Sequence, residues 1–144
     1  MPKPTVEQQR AKFALEKIRG KAGSPEKKDY LIQLRRLPAQ LHWGGLGQTV
    51  ASLRADAENK VRQDVCGWLE AWLRERNIYP GAAPLIDCIT GTGNAVPPGQ
   101  VQKLYVVATH ETRALAVWLK KFAEAFLDDV TETNDEATAS SAAG

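Results

Sequence analysis

Residues 61–73, VRQDVCGWLEAWL, carry the apolar pattern on which the interpretation of the whole chain depends. Their apolar side chains recur at intervals of three and four residues, which places them on one side of an α-helix. The members of this pattern are Val61, Val65, Trp68, Leu69, Trp72 and Leu73. The arc that they cover is wider than a surface helix needs. We therefore predict a helix from about Glu58 to Asn77 at the centre of the core, with both tryptophans packed inside.

Two helices are predicted before this one. Thr5 and Gln8 have the spacing of a capping box, and no Gly or Pro follows until Gly20. Ser24 and Pro25 supply a cap and a first-turn proline for the second helix, which we expect Pro38 to kink or interrupt. The inner face of this second helix is predicted to hold Tyr30, Leu34, Leu37 and Leu41.

Three more segments complete the predicted fold. A corner at Gly44, Gly45 and Gly47 precedes a short helix over residues 48–57, and a Gly/Pro-rich stretch over 78–100 contains a short helix at 85–89. The helical pattern resumes from Gln100 to about Leu127. The expected fold class is all-α. A single compact bundle of about five to six helices over residues 1–127 precedes a disordered acidic tail over 128–144.

Composition excludes several classes of protein. The chain has 144 residues, 43% of them hydrophobic and 25% charged, which suits one domain of ordinary size. It contains no apolar run of eighteen residues, and its first residues lack the apolar segment of a signal peptide, so we expect a cytoplasmic protein with no membrane partner. Two cysteines without CxxC spacing and two histidines predict reduced thiols, no metal and no cofactor.

The charge is unevenly distributed along the chain. The net charge is +2, but the last 17 residues hold five acidic residues and no Lys or Arg. Residues 1–127 therefore hold 19 basic and 12 acidic residues, a net charge of +7. A basic body of this kind favours an anionic partner such as nucleic acid.

Basic residues recur at helical spacing on three of the predicted helices. They are Arg10, Lys17 and Lys21 on the first helix, Lys28 and Arg35 on the second, and Arg113 and Lys120 on the last. Each linear array suits spaced phosphates. Each array taken alone also fits an ordinary solvated helix face, and Glu124 offers Lys120 a surface ion pair.

Four other side chains are candidates for contacts. Phe13 lies roughly opposite the apolar side formed by Ala11, Leu15, Ile18 and Ala22, so the first helix is either buried on two faces or offers an apolar strip to another chain. We expect Phe13 and Ile32 to be exposed and to meet a neighbouring subunit. Trp43 either packs over the helix ends or stacks on an unpaired base, and we favour the first interpretation. Gln48 caps the next helix or reaches a phosphate.

The residues required for catalysis are not found together in the sequence. His42 and His110 have no motif that links them to a nucleophile. Asp56, Glu58 and Asp64 fall on different sides of their helices, and the glycine corner lacks the Gly-Lys-Ser/Thr of a phosphate-binding loop. We therefore predict that the protein is not an enzyme.

Four segments together resemble a known family. They are RAKFALE over residues 10–16, Tyr30 leading to Leu37-Pro38, GLGQTVA over 45–51, and Tyr105 leading through THET to WLKKFAEA over 118–125. In order and spacing they resemble the small, fifth-listed subunit of the Cmr complex, the type III-B CRISPR RNA-guided effector of antiviral defence. The resemblance covers about residues 7–127, without a family pattern for residues 78–99.

The resemblance implies a small all-helical subunit without catalytic activity. Its partners would be the other Cmr subunits, further copies of itself stacked end to end, and the guide RNA and target RNA whose groove these copies line. By resemblance, Lys120, Lys121, Arg35 and Arg36 are the first candidates for RNA contact, and Gln48 is a weaker one. The alternative from another class is a helical adaptor whose basic faces bind an acidic protein and no nucleic acid.

Overall fold

The computed structural model describes residues 2–79 and 82–128, and this part of the chain is all-α. Its helices are α1 (Val6–Arg19), α2 (Lys27–Ala55), α3 (Lys60–Glu75), α4 (Leu85–Thr90) and α5 (Val101–Phe126). Two short 3₁₀ turns, Thr92–Asn94 and Pro98–Gln100, connect α4 to α5, and no strand occurs in the described ranges. The predicted fold class is confirmed. The predicted disordered tail falls, from residue 129 onward, outside the described residues.

Side-chain caps fix the beginnings of α1 and α3. The Gln8 backbone N–H donates to Thr5 Oγ1 at 3.1 Å, and the Thr5 backbone N–H donates to Gln8 Oε1 at 2.8 Å. This pair confirms the predicted capping box. At α3, the Arg62 backbone N–H donates to Asn59 Oδ1 at 3.1 Å, so α3 begins at Lys60 rather than near Glu58.

The break in α2 lies at the glycine corner and not at the proline. The backbone of α2 stays helical through Pro38, and the one residue of α2 with non-helical angles is Gly45, with φ 78° and ψ 173°. The expected interruption at Pro38 is therefore wrong. The segment predicted as a separate helix over residues 48–57 is the second half of α2, which ends at Ala55.

The core lies between α2 and α5, with α1 packed mainly against α5 and α3 mainly against α2. The predicted apolar side of α3 is buried, but the central helix pair is α2–α5 and not α3 itself. Fully buried residues of the two central helices include Tyr30, Leu34, Leu37, Leu41, Leu115 and Leu119. Trp68 of α3 stacks on Tyr30 of α2, with ring centroids 5.7 Å apart.

The predicted exposure of Phe13 is wrong. Phe13 is 9% exposed, and its ring packs on Trp72 with centroids 5.0 Å apart. The buried residues of α1 are Phe13, Ala14 and Ile18, whereas Ala22 of the predicted inner side is exposed. The alanine side chains around α1 are small, so the sequence alone left open which side of α1 is buried. In the structure the Phe13 ring lies on the buried side, because a large aromatic ring buries more apolar area than an alanine does. Phe13 therefore belongs to the core of the bundle.

Both cysteines are buried free thiols, and burial raises the pKa of each, Cys66 and Cys88. The thiol form is therefore favoured over the reactive thiolate. None of the helices in the described ranges has the length and apolar content that a membrane span requires.

The structure predicts that Gly67→Ala stabilises the protein. Gly67 lies inside α3, and a Cβ atom added there would meet no other atom within 4 Å. Alanine in a helix interior is more stable than glycine by roughly 0.5–1 kcal/mol, so the free energy of unfolding is expected to rise by that amount and the urea midpoint to rise with it. Gly91→Ala is the matched control: φ at Gly91 is +76° and the new Cβ would lie 2.8 Å from Val101 Cγ2. A lower midpoint for Gly67→Ala would contradict the described packing of α3.

Candidate nucleic-acid interface

α2 and α5 run antiparallel, and three contacts along them show the register. Arg35 Nη2 donates to Asp128 Oδ2 at 2.9 Å. Arg113 Nη2 and His42 Nδ1 are 3.1 Å apart, and the Gly47 backbone N–H donates to Tyr105 Oη at 3.1 Å. We call the exposed edge bounded by Arg35, His42, Arg113 and Glu124 the α2–α5 seam. A groove of about 460 Å³ lies along it, lined by Pro38, His110, Arg113, Ala114 and Val117.

Three of the predicted RNA-binding residues lie on this seam. Arg113 contacts His42, and Arg35 is half-exposed between Asp128 and Glu124, whose Oε1 is 3.6 Å from Arg35 Nε. Lys120 lies seven residues after Arg113 and four before Glu124, so it occupies the same side of α5. Lys121 follows it and is exposed.

The predicted basic array on α1 is turned into the bundle. Arg10 donates from Nε to Glu111 Oε1 at 2.7 Å and from Nη2 to Glu111 Oε2 at 2.8 Å, and its side chain is only 15% exposed. Lys21 Nζ lies 3.4 Å from Asp64 Oδ2, and Lys17 Nζ lies 5.1 Å from the centroid of the Phe13 ring. The expected phosphate contact at Arg10 is therefore wrong, because this guanidinium neutralises a buried carboxylate.

Arg35 and Arg36, predicted as a pair, face different helices. Adjacent residues of a helix point about 100° apart. Arg35 meets α5, whereas Arg36 lines an opening of about 260 Å³ on the α3 side of α2. The other residues around this opening include Asp29, Ile32, Gln33, Asn59 and Arg62. The two arginines therefore belong to two surfaces.

Four of the predicted basic residues have no partner in the part of the chain that the structure describes. They are Lys28 and Arg36 on α2 and Lys120 and Lys121 on α5, and none of them makes an ion pair or a hydrogen bond with another described residue. Lys28, Arg36 and Lys121 are exposed, and Lys120 is half-buried. Unpaired ammonium and guanidinium groups at a surface are available to phosphates.

The remaining candidates lie at two openings along α2. Ile32 is 40% exposed at the opening that Arg36 also lines, and Gln48 is exposed at a second opening, of about 240 Å³. Trp43 lines the same opening and is 85% exposed, so the expectation that it packs over the helix ends is wrong. The two glycines that follow Trp43 have no side chains to cover its ring, and this feature of the sequence would have indicated its exposure.

The seam does not bring together a catalytic or metal-binding group. His42 contacts Arg113 and Trp43, and within the described ranges no cluster of three His, Cys, Asp or Glu residues is arranged to hold a metal ion. The exposed side chains along the seam include Arg35, Arg113 and the two histidines, His42 and His110.

Comparison with known proteins gives one match. The family model described as CRISPR-associated protein (Cas_Cmr5) matches residues 6–126, which is most of the chain. Searches of curated proteins and of solved structures found no match. Since the family model spans α1 through α5, the chain belongs to the Cas_Cmr5 family of CRISPR-associated proteins, which are subunits of the type III-B Cmr complex.

Proposed function

We propose that this protein is a non-catalytic subunit of the Cmr complex that contacts RNA. In this proposal it works in the cytoplasm in antiviral defence, and several copies stack to line the groove that holds guide and target RNA. The observation that carries the proposal is the set of unpaired basic side chains on α2 and α5, Lys28, Arg36, Lys120 and Lys121, in a member of this family. Phosphate binding requires positive charge more than exact geometry.

Repetition supplies the affinity that one copy lacks. One copy with a few phosphate contacts binds RNA weakly at physiological salt. When an assembly holds several copies in register, one RNA strand contacts all of them in a single binding event. The complex therefore retains the RNA more strongly, although each copy makes the same kind of contact. The half-exposed Ile32, 40% accessible, and Val106, 62% accessible, are apolar side chains that a neighbouring subunit would cover.

Lys120→Ala with Lys121→Ala is the test on α5. We expect the double variant to bind single-stranded RNA more weakly and to reduce the slope of log K against log salt by about 1.4, since each phosphate contact on a single strand contributes roughly 0.7. The measurement is a salt titration of affinity for single-stranded RNA, made on the full chain and on the assembled complex.

Lys3→Ala with Lys12→Ala is the matched control, because both lysines are exposed and lie outside the proposed surface. It removes the same charge and should leave the salt slope close to that of the natural protein. Circular dichroism should show both double variants folded. Equal slopes for all three proteins would exclude phosphate contact by the α5 lysines, and stable capture of an acidic protein without RNA would favour an adaptor instead.

A further inference from the structure

Trp43 differs from the other tryptophans of the chain in its environment. It is 85% exposed, whereas Trp68 is 8% and Trp72 is 1% exposed, and Trp118 packs on Phe122 with ring centroids 5.4 Å apart. An indole ring left in water loses the favourable burial that such a large apolar surface offers. A ring with this exposure is therefore available to a ligand.

The exposed ring is supported from one side. The His42 ring meets the Trp43 ring edge to face, with centroids 5.1 Å apart and an interplanar angle of 82°. His42 Nδ1 in turn lies 3.1 Å from Arg113 Nη2 of α5. His42 thus connects Trp43 to an exposed guanidinium, which puts a cation in the neighbourhood of the aromatic ring.

Trp43 also borders an opening of about 240 Å³. The lining residues are Gln40, Gly44, Gln48, Thr49 and Ser52. Within the described chain the exposed amide of Gln48 has no hydrogen-bond partner, so both its donor and its acceptor face solvent. An amide side chain offers the donor and acceptor pair that the edge of a nucleobase accepts.

The groups around Trp43 suit a nucleobase. Most of the exposed area at the opening is apolar, as stacking of a flat base requires, and the amide of Gln48 supplies polar groups beside it. Proteins that bind single-stranded RNA stack bases on exposed aromatic rings, hold the backbone with cations and read base edges with polar side chains.

We infer that Trp43 is a stacking platform for one unpaired nucleobase of the bound RNA, with Gln48 at the base edge and Arg113 at the adjacent phosphate. The inference rests on the proposed RNA-binding function and adds a site to it. Stacking on Trp43 makes RNA affinity depend on the presence of a base, whereas Lys120 and Lys121 bind the phosphate backbone.

The test compares two RNA probes of equal length and charge at low salt. One is oligouridine, and the other has the same ribose-phosphate backbone with the bases removed. We expect the natural protein to bind oligouridine about tenfold more tightly, within the range known for one base–aromatic stack. Trp43→Ala should remove this preference and bind the abasic probe as the natural protein does. Trp43→Phe should keep most of the preference, and Trp43→Leu should lose it.

Two further measurements separate the role of Trp43 from the role of the two lysines of α5. Lys120→Ala with Lys121→Ala should weaken binding of both probes and keep the preference for bases. Oligouridine should quench tryptophan fluorescence of the natural protein and leave that of Trp43→Phe nearly unchanged.

Equal binding of both probes by the natural protein would overturn the stacking inference and leave the proposed function standing. Binding of neither probe, by the full chain and by the assembled complex, would overturn both. If Trp43→Ala prevents assembly with the other Cmr subunits while the preference for bases persists, Trp43 binds protein and the inference is wrong.

Discussion

Glu111→Ala is expected to lower the free energy of unfolding by about 3–5 kcal/mol, because it leaves a buried charge without its partner. Glu111 is 6% exposed and binds three donors. Arg10 Nε and Nη2 donate to its two oxygens at 2.7 and 2.8 Å, and Trp72 Nε1 donates to Oε1 at 3.0 Å. Without the carboxylate, Arg10 Nε and Nη2 and the indole N–H lose their acceptor, and the guanidinium keeps only the bond from Nη1 to Glu7 Oε2 at 2.9 Å.

The same carboxylate makes stability depend on pH. The hydrogen bond from Arg10 holds the pKa of Glu111 below its ordinary value, burial opposes this, and the Trp72 hydrogen bond adds to the lowering. A group with a lowered folded pKa stabilises the protein above its unfolded pKa, about 4.3 for Glu. That contribution is lost as pH falls through the folded pKa. Glu111→Gln should therefore be less stable at pH 7 and approach the natural protein at low pH.

Urea unfolding at pH 7 and at several pH values below 5 measures both effects. Glu16→Ala is the control, since Glu16 is exposed on α1 and should change the free energy of unfolding by less than about 0.5 kcal/mol. The double variant Arg10→Met with Glu111→Leu should recover much of the loss, because apolar residues can replace a buried ion pair. A loss below about 1 kcal/mol for Glu111→Ala would show that Arg10 finds water instead.

Local sequence signals predicted the helices well. The spacing of Thr5 and Gln8 gave the beginning of α1, and the apolar pattern of residues 61–73 gave the buried side of α3. Both signals depend on neighbours within one or two helical turns. The phase of α1 was predicted wrongly because its buried side is set by Trp72, a residue distant in sequence.

The candidate site was harder to predict, since charge alone does not show which basic side chains are paired. Arg10 and Glu111 are 101 residues apart, and Arg35 and Asp128 are 93 apart. No local pattern reveals such pairs. Of the unpaired lysines in the WLKK segment, Lys120 was predicted from its spacing with Arg113 and from the family resemblance, and Lys121 from the resemblance alone. The structure added the seam on which Lys120 lies.

Gly45→Ala is expected to destabilise the protein by about 2–3 kcal/mol, through backbone strain at the bend of α2. Gly45 has φ 78° and ψ 173°, a region that only glycine adopts freely, and forcing another residue into it costs about 1–3 kcal/mol. The new Cβ would also lie 3.3 Å from Tyr105 Oη. This hydroxyl accepts the Gly47 backbone N–H at 3.1 Å, so displacing it weakens the contact that holds the second half of α2 against α5.

Gly44→Ala is the matched control one residue earlier. The backbone of Gly44 is helical, and the added Cβ would meet only the end of the flexible Gln48 side chain, at 3.2 Å from Oε1. Its urea midpoint should stay close to that of the natural protein or rise, because alanine favours the helix. In Gly45→Ala the Gly47 amide should also exchange its hydrogen faster, as it should in Tyr105→Phe. Equal losses for the two alanine variants would instead place the bend of α2 elsewhere.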